Sequence, residues 1–188
     1  GFPLERANAL GPAGWEALIR PRLSLAEALR PGLADALRRD LDAVRTNWPV
    51  ALPRGAIHAD LFPDNALFVG ERLAGVIDFY FACTDFLAYD LAICLNAWCF
   101  ENERRYDVER GRALIGGYES VRPLSQAERE ALPTLARGAA LRFFATRLTD
   151  WSETPPGALV KPKDPMEYAD KLAFHRRVKT AADYGCAG

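Results

Sequence analysis

The sequence predicts an α+β domain that is mostly helical, with helices arranged around one small β-hairpin. Apolar residues recur at spacings of three and four over most of the chain, which is the period of amphipathic helices. Near the middle, two short apolar segments flank a Gly-Glu turn, as in a hairpin. Of the 188 residues, 49% are hydrophobic and 26% are charged, with no repeat or low-complexity linker. This composition fits one domain or one lobe of a larger protein.

The predicted elements before the hairpin are helices. The segment Ser24-Leu-Ala-Glu27 matches a capping box and predicts a helix start there. A second helix is predicted from four apolar residues at helical spacing: Leu33, Leu37, Leu41 and Val44. It is predicted to end near Trp48, because Pro49 follows and cannot continue a helix.

The hairpin is predicted over residues 65–77. Residues 65–69 form its first strand, Gly70 and Glu71 its turn, and residues 73–77 its second strand. Polar residues gather at its two ends, so the chemistry of the chain is expected there.

Two helices are predicted directly after the hairpin. The first runs through Leu91, Leu95 and Trp98. Asp85 or Asp90 is expected to cap it, since a carboxylate accepts hydrogen bonds from the first free N–H groups. The second lies near residues 108–118.

Two more helices are predicted near the end of the chain. A capping box at Ser125 and Glu128 begins a long helix that is expected to bend at Pro133 and to end at Asp150. The last helix is expected to begin at residues 164–165, with Glu167 completing its cap. The proline-rich segment between them is predicted to be a loop.

The charge balance favours a small ligand over a polyanion. The chain has 24 basic and 25 acidic residues, a net charge of −1, so no overall positive field would attract nucleic acid or an anionic membrane. No apolar stretch is long enough to span a bilayer. The four cysteines show no metal-binding or disulfide spacing and no signal peptide precedes them, so we expect free thiols in the cytoplasm.

The polar residues of the hairpin have a spacing that indicates phosphoryl transfer. His58, Asp60 and Asn65 form the pattern H-x-D-x-x-x-x-N, and Asp78 follows thirteen residues after Asn65. In phosphoryl transfer a carboxylate accepts the proton of the acceptor hydroxyl. An amide oxygen and a second carboxylate hold the magnesium ion that bridges the nucleotide phosphates. The two ends of a hairpin bring Asn65 and Asp78 to one place.

Each of these residues also has a simpler interpretation. Asn65 alone could be a turn residue and Asp78 a strand-end cap. His58 is expected to brace the loop through a backbone contact near the second aspartate. Asp64 is expected to be a solvated turn residue.

These motifs resemble the C-terminal lobe of the aminoglycoside phosphotransferase and choline kinase superfamily. The similarity rests on residues 58–68, 75–83 and 89–98, and is weaker elsewhere in the chain. Within the superfamily, the chain most resembles the homoserine kinases of the protein-kinase-like type.

The resemblance implies a protein-kinase-like fold, an ATP-dependent phosphotransferase activity and L-homoserine as the acceptor, in threonine biosynthesis. It implies Asp60 as catalytic base, His58 as a structural residue of the catalytic loop, and Asn65 and Asp78 as Mg²⁺ ligands. The expected cofactors are Mg²⁺ and ATP, and the expected partners are ATP and a small hydroxylated amino acid.

The chain lacks two features of the family pattern. It has no glycine-rich phosphate loop, and no lysine precedes Lys161. We therefore expect residues 1–188 to form the C-terminal lobe, without the N-terminal nucleotide-clamping lobe. We also expect this chain alone to have little activity and to self-associate through an exposed interlobe face.

Five residues are candidates for acceptor binding: Tyr80, Asp85, Asn96, Trp98 and Arg142. Core packing is the alternative for the aromatic residues. Asp90 is expected to brace a loop or cap a helix. Arg142 and Arg147 are five residues apart, so we expect them not to share a helix face fully, and solvated positions are the alternative for both.

Other functions remain open at this point. Members of the same superfamily phosphorylate choline, a sugar or an aminoglycoside. The chain could also be a non-catalytic lobe or fragment. A third possibility is that His58, Asp60 and Asp78 bind a hydrolytic transition metal without nucleotide.

Overall fold

The computed structural model describes residues 5–155, 157–159 and 161–186. It confirms the predicted α+β class, mostly helical. The helices are α1 (Pro12–Ile19), α2 (Leu23–Leu29), α3 (Leu33–Asn47), α4 (Leu87–Trp98), α5 (Val108–Val121), α6 (Gln126–Glu153) and α7 (Met166–His175). The strands are β1 (Arg54–Ile57), β2 (Ala66–Val69), β3 (Arg72–Val76), β4 (Cys83–Phe86), β5 (Phe100–Glu101) and β6 (Arg105–Tyr106). No helix in the described part of the chain could span a membrane.

Helix α6 forms the centre of the core. It packs against α1, α3, α4 and α7, and its middle carries fully buried apolar residues such as Leu141 and Phe144. The capping box at its start is confirmed: Ser125 Oγ accepts a hydrogen bond from the Glu128 N–H, and the Glu128 carboxylate accepts one from the Ser125 N–H. One long helix therefore touches most of the other helices and can present one of its faces to a site.

The predicted end of α6 at Asp150 is wrong, because the helix continues to Glu153. Arg22 explains the extra turn. Its guanidinium donates a hydrogen bond to Ser152 Oγ at 3.0 Å and forms an ion pair with Glu153. This partner comes from the other end of the chain and could not be read from the local sequence.

The predicted capping box at Ser24 is also wrong. Helix α1 continues through a short 3₁₀ turn into α2, which begins at Leu23 without a side-chain cap. Glu27 instead accepts hydrogen bonds from the N–H groups of Gly32 and Ala34, at 2.8 and 3.1 Å. It thus stabilises the start of the next helix, where free N–H groups need acceptors.

The apolar stripe of α3 and the hairpin are confirmed. All four apolar residues that predicted α3 are buried, and the helix ends just before Trp48. Strands β2 and β3 pair in antiparallel fashion around Gly70, which has a positive φ of 61°. Helix α5 covers the predicted 108–118 segment and extends to Val121.

The predicted caps of α4 and α7 are wrong. Helix α4 begins after Phe86 with no side-chain cap. Asp85 lies in β4 and Asp90 inside the first turn, where its carboxylate faces a loop. At α7, Asp164 accepts a hydrogen bond from the Met166 N–H at 2.8 Å, but Glu167 pairs with Arg147 and does not complete the cap.

The pairing of β1 with β4 positions the site. The strands are antiparallel, with Ile57 opposite Cys83. The loop that follows β1 and the loop that precedes β4 therefore lie at the same end of this small sheet. These loops contain His58 and Asp60 on one side and Asp78 on the other.

Candidate active site

Asp90 holds the loop after β1 by accepting two hydrogen bonds from its backbone. Its Oδ2 accepts a hydrogen bond from the His58 N–H at 2.9 Å, and its Oδ1 accepts one from the Ala59 N–H at 2.8 Å. Ala59 has a φ of +63°, in the left-handed region that a residue with a Cβ rarely adopts. Asp90 thus braces the loop directly before Asp60.

His58 links the two loops. Its Nε2 lies 2.9 Å from the carbonyl oxygen of Ile77, and its Nδ1 accepts a hydrogen bond from the Asp60 N–H at 3.2 Å. This pairing assigns the proton to Nε2, which donates to the carbonyl. Both ring nitrogens are engaged by backbone groups, so His58 has no nitrogen available for a metal ion. The alternative in which His58, Asp60 and Asp78 bind a transition metal therefore lacks a histidine ligand.

A cavity of about 320 Å³ lies beside these loops. Asp60, Asn65 and Asp78 line it together. The other residues that line it are Leu10, Phe62, Asp64, Phe81, Arg142, Phe143, Thr146, Arg147, Asp150 and Lys163. The fold therefore brings the predicted base and the two predicted Mg²⁺ ligands to a single concave surface.

Asp60 is partly buried at the floor of this cavity. Burial raises the pKa of its carboxyl above the usual value, and the nearby Asp78 raises it further. The positive charges of Arg142 and Lys163 act in the opposite direction. A higher pKa makes a carboxylate a better proton acceptor, which suits a general base.

Asn65 and Asp78 have the chemistry of magnesium ligands. The Asn65 Nδ2 donates a hydrogen bond to the Asp60 carbonyl at 2.8 Å, which leaves its amide oxygen as the free acceptor. No described residue donates a hydrogen bond to the Asp78 carboxylate, which is exposed. Oxygen ligands of this kind, completed by phosphate and water, are what Mg²⁺ prefers.

The described residues contain no cluster of three or more histidine, cysteine or acidic side chains that could hold a metal ion. Asn65 and Asp78 therefore form a partial site. Such a site fits Mg²⁺ that arrives with nucleotide phosphates, because those phosphates supply the remaining ligands.

Four of the five predicted acceptor residues lie outside the lining of this cavity. Asn96 is fully buried, and its side-chain amide donates to the carbonyls of Ala92 and Ala136. Asp85 accepts a hydrogen bond from Asn8 Nδ2 at 2.8 Å. Both residues therefore join separate segments of the protein through hydrogen bonds.

The remaining two are aromatic. Trp98 Nε1 donates a hydrogen bond to the Leu61 carbonyl at 2.8 Å, which supports the loop after β1 from behind. Tyr80 is 72% exposed on the far side of the Asp78 loop. Its backbone carbonyl accepts a hydrogen bond from Arg6.

Arg142 is the candidate that the structure brings to the cavity. Arg147 lines the same cavity, so the two arginines share this face more fully than their spacing predicted, and the alternative of solvated positions is wrong because both are buried. Along α6 the lining residues are Arg142, Phe143, Thr146, Arg147 and Asp150. They form one stripe, because positions four apart lie on one helix face.

Sequence reasoning missed Thr146, Asp150 and Lys163. A signal was present, because Arg142, Thr146 and Asp150 are polar residues at spacings of four in a mostly apolar part of the helix, residues 138–150. Such a polar stripe on a core helix indicates a lined cavity. Lys163 carried no local signal, since it lies in an irregular segment.

The fold has a counterpart among solved structures. A choline/ethanolamine kinase family protein from Mesorhizobium loti superposes with a TM-score of 0.53 at 22% sequence identity. The match covers 93% of this chain and 55% of that protein. The class that this likeness defines is the protein-kinase-like fold of the choline kinases.

The chain belongs to the phosphotransferase enzyme family, whose sequence pattern matches residues 1–124. The family predicted from the motifs is thereby confirmed.

Curated relatives carry a more specific name. A homoserine kinase from Xanthobacter autotrophicus is 61% identical over 186 residues, which is 99% of this chain and 58% of the relative. A homoserine kinase from Rhizobium meliloti is 58% identical over 185 residues, which is 98% of this chain and 57% of the relative. The chain thus spans a little over half the length of these relatives.

Proposed function

We propose that residues 1–188 form the catalytic-loop and acceptor lobe of a kinase that transfers the γ-phosphoryl group of ATP to the hydroxyl of L-homoserine. The observation that carries the proposal is the meeting of Asp60, Asn65 and Asp78 in one cavity. These are the three groups that phosphoryl transfer to an alcohol requires. The acceptor and the place in threonine biosynthesis are supported by the names of the relatives.

In this proposal Asp60 is the general base. Its carboxylate accepts the proton of the acceptor hydroxyl while the hydroxyl oxygen bonds to the γ-phosphorus and the bond from phosphorus to ADP breaks. Asn65 and Asp78 would hold Mg²⁺, which neutralises charge on the nucleotide phosphates. His58 and Asp90 keep the loop in place and take no part in the proton transfer.

The wall opposite the catalytic loop suits a zwitterionic acceptor. Homoserine has an ammonium group, a carboxylate and a primary hydroxyl. Asp150 lines the cavity with no ion-pair partner among the described residues, and can pair with an ammonium group. Lys163 lies 3.9 Å from the exposed Asp64 and also lines the cavity, where it can pair with a carboxylate.

Arg147 is less available for this pairing. Its guanidinium already bonds to the carbonyl of Asp164 and to the carboxylate of Glu167. We therefore assign recognition of the acceptor to Asp150 and Lys163, in place of the four predicted residues that lie outside the cavity lining.

A hybrid protein tests the proposal. In it, these 188 residues replace the matched segment of the Xanthobacter autotrophicus homoserine kinase, and the rest of that kinase is retained. ADP release is measured with L-homoserine, choline, a sugar panel and an aminoglycoside. We expect L-homoserine to have the highest kcat/KM by about 10-fold, because it can pair with both Asp150 and Lys163 and an exposed ion pair contributes up to about 1 kcal/mol.

Two analogues sharpen this test. One is 3-amino-1-propanol, which lacks the carboxylate, and the other is 4-hydroxybutanoate, which lacks the ammonium group. We expect Lys163→Met to reduce the preference for homoserine over the first analogue, and Asp150→Asn to reduce it over the second. Equal use of choline and homoserine would contradict the assigned acceptor and leave the phosphoryl transfer standing.

We propose that the 188-residue chain self-associates through the exposed interlobe face, and that the hairpin forms part of this face. Leu67, Phe68, Val69 and Leu73 are between 48% and 67% exposed there. Exposed apolar side chains commonly mediate association, so we expect a second copy of the 188-residue chain to cover the hairpin. Light scattering of the chain with and without Phe68→Asp measures this. A cytoplasmic location is supported by the four cysteines, which are all unpaired thiols.

A further inference from the structure

The residue before Asp60 has an unusual backbone conformation. Ala59 has a φ of +63° although it carries a Cβ, and it is almost fully buried. Left-handed conformations of this kind are unfavourable for alanine and persist only where the surroundings impose them. The direction in which Asp60 points depends on this torsion, because the two residues share a peptide bond.

Two side chains from different helices hold the peptide groups on either side of Ala59. Asp90 of α4 accepts the hydrogen bond of its N–H group. Arg142 of α6 donates from Nη1 to its carbonyl oxygen. That carbonyl belongs to the peptide bond between Ala59 and Asp60. The hydrogen bond from Arg142 therefore fixes the orientation of the peptide plane that precedes Asp60.

Arg142 is itself held in one position. Its side chain is only 1% exposed, and its guanidinium carbon lies 5.3 Å from the centre of the Phe81 ring and 4.6 Å from that of Phe143. Its Nε is buried and has no hydrogen-bond partner in the described part of the chain. A buried arginine with an unsatisfied N–H is unfavourable for stability, so packing alone does not account for an arginine at this position.

We propose that Arg142 is a positioning residue that holds Ala59 in the left-handed conformation and thereby directs the Asp60 carboxylate into the cavity. This replaces the predicted role of Arg142 in acceptor binding. The activity readout of the proposal rests on the proposed kinase function.

Glycine at position 59 provides the decisive test. Glycine adopts positive φ about as readily as negative φ, so it needs no side chain to hold it there. In the hybrid protein we expect Arg142→Met to lower kcat by about 10- to 100-fold, as for a misplaced catalytic group, with the KM for L-homoserine nearly unchanged. Adding Ala59→Gly to that variant should restore at least about 10-fold of the loss.

Arg147→Met is the matched control. Arg147 lies on the same helix and lines the same cavity, but it bonds to Asp164 and Glu167 and not to the loop. Ala59→Gly should therefore not improve the Arg147→Met variant. If Arg142→Met fails to fold, Arg142→Lys replaces it, since lysine retains one charged donor.

Hydrogen exchange of the peptide that covers residues 58–62 gives a readout without catalysis. We expect faster exchange in Arg142→Met than in the parent, and unchanged exchange in Arg147→Met. A raised KM with unchanged kcat, no rescue by Ala59→Gly, or unchanged exchange would each overturn the proposal. A hybrid that phosphorylates no acceptor would contradict the proposed function, while the exchange comparison would still decide the role of Arg142.

Discussion

Two polar clusters of this protein differ in whether their hydrogen bonds are complete. The first lines the cavity and contains Asp60 and Asp78. The second is buried between α4 and α7 and contains Asn96, Lys171 and His175. Both contain residue types that commonly act in catalysis, and sequence reasoning placed Asn96 with the first cluster.

The buried cluster satisfies its own polar groups. His175 lies with Nε2 at 2.9 Å from Asn96 Oδ1 and Nδ1 at 2.7 Å from the Tyr184 hydroxyl. The Lys171 ammonium donates to the Asn96 carbonyl at 2.8 Å and forms an ion pair with Glu103. Burial of such groups is tolerated because each one has partners.

The cavity cluster leaves its acceptors open. No described residue donates a hydrogen bond to the carboxylate oxygens of Asp60 or Asp78, although hydrogen bonds hold the backbone directly before each of them. Carboxylate oxygens without a donor can accept a proton or bind a cation, whereas completed hydrogen bonds contribute to stability. The comparison shows that the partners of a polar residue, more than its type, separate a functional role from a structural one.

The largest effect is expected at Asp78. Asp78→Ala removes the only carboxylate of the proposed Mg²⁺ site, so activity of the hybrid protein should fall by about 10³ or more, and excess Mg²⁺ should restore little of it. The free energy of unfolding should fall by about 1 kcal/mol, because Asp78 is exposed but has a φ of 62°, which alanine tolerates less well than aspartate. Full activity in this variant would show that phosphoryl transfer does not use the Asp78 carboxylate.

Asp60→Asn should have the next effect on turnover. Loss of a positioned general base lowers kcat by about 10² to 10⁴, and the isosteric amide should leave the fold intact. Circular dichroism and steady-state kinetics on the same sample measure the two quantities. Retention of more than half of the activity would remove Asp60 from the role of base.

Asn96→Ala should affect stability and leave the acceptor site unchanged. The variant removes the acceptor of the His175 N–H, and a buried unsatisfied group costs about 1–3 kcal/mol. Urea denaturation measures this loss, and the KM for L-homoserine should remain within about twofold of the parent. A stable variant with a strongly raised KM would restore Asn96 to the acceptor site.

The last effect, at His175, is negligible near pH 7 and grows as the pH falls. Burial lowers the pKa of His175 to about 3, with help from the charges of Lys171 and Arg137, whereas the unfolded value is about 6.5. Between these values the unfolded state binds the extra proton. The contribution to stability is therefore complete above about pH 6.5 and is lost as the pH falls toward 3, by up to about 1.4 kcal/mol per pH unit.

The variant His175→Gln isolates this contribution. Glutamine removes the titrating ring, while all carboxylates and His58 remain in both proteins. The difference in unfolding free energy between parent and variant should therefore change with pH in this window and be constant above it. A difference that is constant from pH 4 to 7 would contradict the depressed pKa.

The sequence by itself determined the features that depend on neighbouring residues. The apolar stripe of α3, the hairpin and the Ser125 capping box follow from local spacing, and all three are present. The motif of His58, Asp60 and Asn65 identified the family, because its spacing is a property of one continuous loop and strand.

The tertiary structure decided which polar residues face the cavity. Asn96 and Asp150 both lie on core helices, and the sequence does not show which of them faces the cavity. Residues of α6 and α7 bind the Asn96 side chain, whereas Asp150 lines the cavity. Arg142 reaches Ala59 across 83 positions of the chain. Hydrogen bonds and burial between remote segments depend on how the helices pack, and local spacing contains no information about that packing.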